Sequence, residues 1–273
     1  MISSSDLQDN RPVVLCFSGL DPSGGAGIQA DIEALFSIGC HCAPVITCTT
    51  VQDTRNVIDM TPGDPSQVIA QARAVLEDMP VAAIKTGLTG SIPVIEVIHT
   101  LLRDYPDIPV VADPVLKAAG GYDFGADTLV DAYRSLLLPQ ALVTTPNSPE
   151  LKQLARSSDS LDAAASELLD LGCGHVLLTG THLPEERVSN RLYTEHQAVR
   201  VYEWPRLPHE YHGSGCTLAS ALAGFIAHGS SVGEASLQAQ EYTWHTLEAA
   251  WRPGCGQWVP GRAFWHKRKT GRA

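Results

Sequence analysis

An α/β fold, with a mostly parallel sheet covered by helices on both faces, is what this sequence predicts. Three observations carry the prediction. Short apolar runs alternate with helix-period segments along nearly the whole chain, the pattern of a parallel sheet with helical crossovers. Two of those junctions are unusually rich in glycine, at 19–27 and 213–215. Polar residues recur just after the apolar runs: Asp21 and Gly24, Gln52, Gly87, Asp113, Asn147 and Glu150, and Thr179. In such sheets ligands bind beyond the C-terminal ends of the strands, so these residues converge on one edge.

The elements follow in order. Val13–Ser18 is an apolar run between Pro12 and Gly19 and reads as a buried strand. After the first glycine-rich turn comes a helix with Ile28, Ile32, Leu35 and Phe36 on one face, ending near Gly39. Asp31 sits in its first turns, facing solvent or a ligand. Ala43–Thr49 is a strand running into the loop-like Thr50-Val51-Gln52-Asp53-Thr54, and 61–65 reads as a turn. Gln67–Asp78 is helical, with a start signal at Pro65. Val81–Ile84 is a strand, Ile92–Leu102 a helix, and Pro109–Ala112 a strand. Asp127–Leu138 is helical and Leu142–Thr144 a strand, after which Ser148 is placed as N-cap with Pro149 at the first helical position. Leu161–Leu171 is a helix closed by Gly172, and Val176–Thr179 is a strand. Arg191–Tyr193 and Ala198–Tyr202 form a hairpin around Glu195-His196.

The second glycine-rich turn leads into an alanine-rich helix with Leu218, Leu222 and Phe225 on its buried face. A last helix covers 232–250, with Ala235, Leu237 and Tyr242 directed inward. Trp244 and Trp251, a heptad apart, are read as part of its buried face. The segment 254–262 is loop. The fold domain spans 12–262, between a disordered N-terminal tail, 1–11, and a C-terminal tail, 263–273.

Composition bounds the function. A net charge of −11 argues against a nucleic-acid surface. The basic run Lys267-Arg268-Lys269 lies in the C-terminal tail and reads as a solvated end. No apolar run is long enough for a membrane span. Seven scattered cysteines without an export signal suggest reduced thiols and a cytoplasmic protein. Cys40-His41-Cys42 lacks a second Cys/His pair at zinc-site spacing, which disfavours a metal there.

The chemistry concentrates at 211–217. A glycine-rich turn opening a helix exposes unpaired backbone N–H groups at the positive end of the helix dipole, a site for an anion and most often for phosphate. Cys216 stands where that helix begins, a placement that lowers a thiol's pKa. An ordinary loop with an inert cysteine gives the same local pattern. So does a nucleophilic Cys216–His212 pair, although positions i and i+4 across a Gly-Ser-Gly turn suit that role poorly.

Taken together, Gly19-Leu20-Asp21-Pro22-Ser23-Gly24-Gly25-Ala26-Gly27, Val51-Gln52-Asp53-Thr54, Lys85-Thr86-Gly87, Asp113-Pro114-Val115, Thr145-Pro146-Asn147-Ser148-Pro149-Glu150 and His212-Gly213-Ser214-Gly215-Cys216-Thr217 resemble, in order and spacing, the hydroxymethylpyrimidine/phosphomethylpyrimidine kinases of thiamine biosynthesis. These belong to the ribokinase-like superfamily. The resemblance runs from about Val13 to Gly261. It implies a three-layer α/β/α fold, ATP and Mg²⁺ as cofactors, a pyrimidine substrate and a homodimer.

Carried over by position, it makes Gly19, Ala26, Asp31, Gln52 and Val115 pyrimidine-binding. Asn147, Thr179 and Ser214 fall on the nucleotide, and Asp113 and Glu150 on the metal. Gly213, Gly215 and Cys216 form the catalytic turn, Cys216 taking the hydroxyl proton where most sugar kinases place an aspartate. The chain departs from the family at three points. Thr179-Gly180-Thr181-His182 replaces a Lys-Gly-Gly-His pattern, Thr50 stands where an apolar residue is usual, and Asp53 where asparagine is usual. Lys85 and Lys117 are candidates to supply the missing charge. A pyridoxal or related vitamin kinase and a non-catalytic pyrimidine-binding protein remain as alternatives.

Overall fold

The computed structural model describes residues 11–116, 127–180, 186–195 and 197–265. The expected N-terminal tail (but for its last residue), Lys117, His182, His196 and the basic run at 267–269 lie outside these.

A nine-stranded sheet forms the middle layer, in the order β3-β2-β1-β4-β5-β6-β7-β8-β9. Its strands are β1 (Val13–Leu20), β2 (His41–Gln52), β3 (Val57–Pro62), β4 (Val81–Thr86), β5 (Val110–Ala112), β6 (Val143–Thr144), β7 (His175–Leu178), β8 (Arg187–Thr194) and β9 (Arg200–Pro205). β2, β1, β4, β5, β6 and β7 run parallel; β3 pairs antiparallel with β2 at one edge, and at the other β8 pairs antiparallel with both β7 and β9.

Successive residues of a strand face opposite sides, and both sides of β1 are buried. Leu15 and Phe17 join Val45, Ile84 and Ala112 in one core. Helices α2 (Pro65–Asp78), α3 (Ile92–Asp104), α4 (Asp127–Ala132), α5 (Ser148–Leu154) and α6 (Leu161–Asp170) cover that face through Val68, Ile98, Val130, Leu151 and Leu168. Val14 and Cys16 join Ala83 and Val111 in the other core. Helices α1 (Gly27–Ser37), α7 (Ser214–Ala227) and α8 (Val232–Glu248) cover it through Leu35, Leu222 and Ala235. The layers are therefore α/β/α, as expected.

Local expectations change at several points. The chain at 50–52 is strand, because β2 continues to Gln52 and pairs with β3, an edge strand read as a turn at its end. α4 passes into a π turn over Tyr133–Leu137 and a 3₁₀ turn over Leu138–Gln140. Asn147, not Ser148, caps α5, since its side chain accepts from the Glu150 N–H. Ile32 and Phe36 of α1 are exposed, as is Leu237 of α8, so only Ile28, Leu35, Ala235 and Tyr242 of those faces are buried. Trp251 lies beyond the end of α8 and is exposed. α7 is buried continuously from Thr217 to Gly224 rather than on one face, because α1, α8 and the sheet all pack on it. The C-terminal segment is ordered further than expected, with Phe264 packing against Tyr242 at 6.0 Å between ring centres.

Candidate active site

Every parallel strand ends at the same edge of the sheet, so the turns that follow β1, β2, β4, β5, β6 and β7 meet there. Each expected residue lies in or beside one of those turns, or in the turn that opens α7. Several helices begin at this edge, and α5 and α7 begin differently.

At α5 the helix terminus is closed by its own side chains. Asn147 Oδ1 accepts from the Glu150 N–H at 2.9 Å, and Glu150 Oε2 accepts from the Asn147 N–H at 2.9 Å. This reciprocal cap uses two of the donors that a helix start leaves unpaired. Thr179 forms an isolated parallel bridge with Asn147, so the end of β7 lies beside this cap.

At α7 the terminus is open. Gly213 is the N-cap residue, its φ of 84° lies in the left-handed region, and no side chain caps the helix. A Cβ on Gly213 would overlap the Gly25 carbonyl, and a Cβ on Gly25 would overlap the His212 ring. The two glycine-rich turns are thus interlocked, and glycine is required where they touch. The backbone N–H groups of Ser214, Gly215 and Cys216 open this helix, the geometry of an anion site.

Beneath the turn lies a buried ion pair. Lys85 Nζ donates to Asp31 Oδ1 at 2.9 Å and to Ser18 Oγ at 2.9 Å, and both members of the pair are fully buried. Ser220 Oγ donates to Asp31 Oδ1 at 2.6 Å, and Ser18 Oγ donates to Asp31 Oδ2 at 2.5 Å. The expectation of an Asp31 facing solvent or ligand is therefore corrected: its carboxylate is sealed and saturated by protein donors. Burial alone would discharge Lys85, but Asp31, with Cys216 and Asp113 adding to it, raises its pKa and keeps it charged. This fixed cation sits under Gly87.

Cys216 corrects a second expectation. Desolvation pushes its thiol up to about 11, against the lowering effect of Lys85 and a hydrogen bond from the Gly27 backbone. Burial wins over the helix terminus, so the thiol is protonated at neutral pH. His212 is not its partner, because His212 Nε2 meets Asp21 Oδ2 at 2.7 Å and the Gln52 amide at 2.8 Å. The Cys–His reading fails on that geometry.

Two carboxyls complete the edge. Asp113 Oδ1 accepts from Thr145 Oγ1 at 3.0 Å, while its Oδ2 is buried without a partner. Burial raises the pKa of Asp113, with Lys85 opposing. Burial and the nearby Asp113 push Glu150 up to about 8. Two carboxyls short of positive charge, one with an orphaned oxygen, fit a divalent cation. Among the described residues no cluster of three or more His, Cys, Asp or Glu could enclose such an ion. Mg²⁺ keeps much of its water and takes few protein ligands. Asp113 and Glu150 would hold it, and it would neutralise phosphate oxygens.

Gly19 is the penultimate residue of β1, Ala26 precedes α1, and the Val115 N–H donates to the Asp113 carbonyl at 2.9 Å. One residue of this edge escaped the sequence reading. Arg262, 2% exposed, donates from Nε to Thr217 Oγ1 at 2.9 Å, from Nη1 to Glu33 at 2.9 Å and from Nη2 to the Gly25 carbonyl at 2.5 Å. It ties the first glycine turn to the first turn of α7. A lone arginine in a C-terminal loop carries no sequence signal for that role.

Among the described residues no helix is long and apolar enough to cross a membrane.

Known proteins share this organisation. The phosphomethylpyrimidine kinase family model matches residues 21–260. A hydroxymethylpyrimidine/phosphomethylpyrimidine kinase of Streptomyces coelicolor is 38% identical over 250 residues, covering 90% of this chain and 92% of that protein. The crystal structure of a phosphomethylpyrimidine kinase from Clostridium difficile 630 aligns with a TM-score of 0.74 at 31% identity, over 85% of this chain and 98% of that one. Pyridoxal kinase from Staphylococcus aureus, solved in complex with pyridoxal, aligns with a TM-score of 0.85 at 26% identity, over 94% and 95%. With the family model matching 21–260 and a 38% identical relative covered almost end to end, this chain belongs to the phosphomethylpyrimidine kinase family.

Proposed function

We propose that the protein transfers the γ-phosphoryl group of ATP to the hydroxymethyl group of 4-amino-5-hydroxymethyl-2-methylpyrimidine, and then phosphorylates the monophosphate. The observation that carries this reading is the uncapped start of α7, set over a permanently charged Lys85 and next to two carboxyls short of cations. Phosphoryl transfer requires positioned positive charge more than covalent chemistry, and this edge is built from such charge. The turn Gly213–Cys216 receives the transferred group. Ser214, Asn147 and Thr179 lie toward the nucleotide, and Mg²⁺ is held by Asp113 and Glu150.

Gly19, Ala26, Gln52 and Val115 line the pyrimidine, and Asp31 acts from beneath by keeping Lys85 charged. Cys216 accepts the hydroxyl proton. A thiol pushed up to about 11 does so through a small thiolate fraction at neutral pH. Its reaction rate then rises about tenfold per pH unit through the neutral range. A single catalytic domain over 12–262 and a homodimer complete the reading.

A second reading, pyridoxal phosphorylation, is favoured by the close overlay on a pyridoxal kinase. The absence of a lysine at Thr179 keeps a binding-only protein in view. Purified protein with ATP and Mg²⁺ is assayed in parallel on hydroxymethylpyrimidine, its monophosphate and pyridoxal. Turnover of the first two is expected. Turnover of pyridoxal alone, or tight pyrimidine binding with no turnover, would overturn the proposal.

A further inference from the structure

Four side chains from three separate parts of the edge share one row of polar contacts. His212 Nε2 lies 2.7 Å from Asp21 Oδ2 and 2.8 Å from one end of the Gln52 side-chain amide. The other end of that amide lies 3.1 Å from Thr50 Oγ1, and Thr50 Oγ1 lies 3.0 Å from the Leu20 carbonyl. The two ends of an amide have nearly the same shape, so proton accounting must decide which is nitrogen.

The accounting starts at Asp21. Its carboxylate accepts from the Ser23 and Ala26 N–H groups, both at 2.8 Å, and burial fails to neutralise it against these bonds and His212. An ionised carboxylate only accepts. The proton between Asp21 and His212 therefore belongs to His212 Nε2. A protonated Nε2 cannot accept from a Gln52 N–H, so the amide end facing it is the oxygen. At the far end, Thr50 has one hydroxyl proton. The Leu20 carbonyl has no proton to give, so Thr50 donates to it. Thr50 then has only lone pairs to offer Gln52, and the amide end facing it is the nitrogen. Both ends give the same answer. The opposite orientation would set two donors against each other at His212, whereas this one leaves the Nε2 proton shared between Asp21 Oδ2 and the amide oxygen.

We infer that Thr50 and His212 are positioning residues that lock the Gln52 amide in one orientation, oxygen toward His212 and nitrogen toward Thr50, and thereby select the heterocycle bound at this end of the site. The locked amide retains one N–H and one oxygen lone pair for a ligand. That pair suits a ring bearing an amine beside a ring nitrogen, whose donor and acceptor come in a fixed order. A free amide would turn to suit either order. The inference rests on the reading of Gln52 as a substrate contact. It also gives a role to Thr50.

The test has two arms. In the first, ¹⁵N NMR of the histidine rings in the full-length protein at neutral pH reads the protonation of His212, assigned with His212→Asn. A proton on Nε2 is expected. An unprotonated Nε2 would overturn the lock whatever the substrate proves to be. In the second arm, catalytic efficiency toward hydroxymethylpyrimidine is divided by that toward pyridoxal. Thr50→Val is expected to lower this ratio by about fivefold or more, the worth of one hydrogen bond. Thr50→Ser, which keeps the hydroxyl, is expected to preserve it. An unchanged ratio in a folded Thr50→Val would overturn the selective role. If wild-type protein turns over neither compound, the proposed function fails while the first arm still decides the lock.

Discussion

Helices α5 and α7 start at the same edge of the sheet and handle the same problem in opposite ways. Each start leaves backbone N–H groups without helical partners. α5 closes its start with Asn147 and Glu150, reciprocally bonded at 2.9 Å. α7 starts at a left-handed Gly213 with no side-chain cap. The closed start contributes to stability. The open start withholds that contribution, and the withheld donors are what an anion needs. α1 and α3 also start without a side-chain cap, so what sets α7 apart is its left-handed Gly213 beside the buried Lys85–Asp31 pair.

The comparison breaks most sharply if α7 is given a negative charge of its own. Ser214→Asp places a carboxylate in the first helical turn. It is expected to raise stability by about 0.3–1 kcal/mol through the helix dipole. The same change is expected to lower kcat/KM by about 100-fold or more by repelling the phosphoryl group. Opposite signs in a melting curve and a kinetic assay are the check, and a loss of both would mean simple misfolding.

Arg262→Ala tests whether the interlocked turns need their clasp. Removing it leaves Glu33 without its cation and the Gly25 carbonyl without its buried donor. Stability is expected to fall by about 1–3 kcal/mol, the cost of leaving the Gly25 carbonyl without its buried donor, since Glu33 is 41% exposed and water can solvate it. Denaturant unfolding measures it, and Arg262→Lys should recover part.

pH separates the two starts as well. Glu150 has its folded pKa raised to about 8, so the folded state holds that proton more tightly than the unfolded chain. Its contribution to stability is full below its unfolded pKa and is lost as pH rises toward 8. Mg²⁺ competes with that proton. Added Mg²⁺ should raise the melting temperature more at pH 8 than at pH 5, and Glu150→Gln should remove most of that difference.

The smallest effects sharpen the contrast. Ser160, whose side chain accepts from the Ala163 N–H at the start of α6, is a cap remote from the site. Ser160→Ala and Asn147→Ala should each cost about 1 kcal/mol. Only Asn147→Ala should also raise the KM for ATP.

Much of this was legible in the sequence because period and punctuation report local structure. Val13–Ser18, the glycine turn and Ile28 with Leu35 read correctly as strand, loop and buried face. β3 was not legible: Ile58, Asp59 and Thr61 are exposed on an edge strand that buries little more than Val57. The cap of α5 was misplaced by one residue because Asn147 and Ser148 are both good caps, and only the reach of Glu150 distinguishes them. Lys85 was recognised as a charge but not located, since nothing local says that a lysine within a strand meets Asp31, 54 positions earlier. The state of Cys216 misled for a similar reason. A helix start lowers a thiol's pKa, but desolvation in the folded chain, invisible to a local motif, overrides it. Arg262 shows the same limit at 237 positions from Gly25.

The most direct test of the central claim is a crystal structure of the protein with Mg²⁺, a non-hydrolysable ATP analogue and hydroxymethylpyrimidine. The terminal phosphate is expected within hydrogen-bond distance of the N–H groups of Ser214, Gly215 and Cys216, with the cap of α5 intact. A terminal phosphate seated instead on the start of α5, displacing Asn147 and Glu150, would contradict the account.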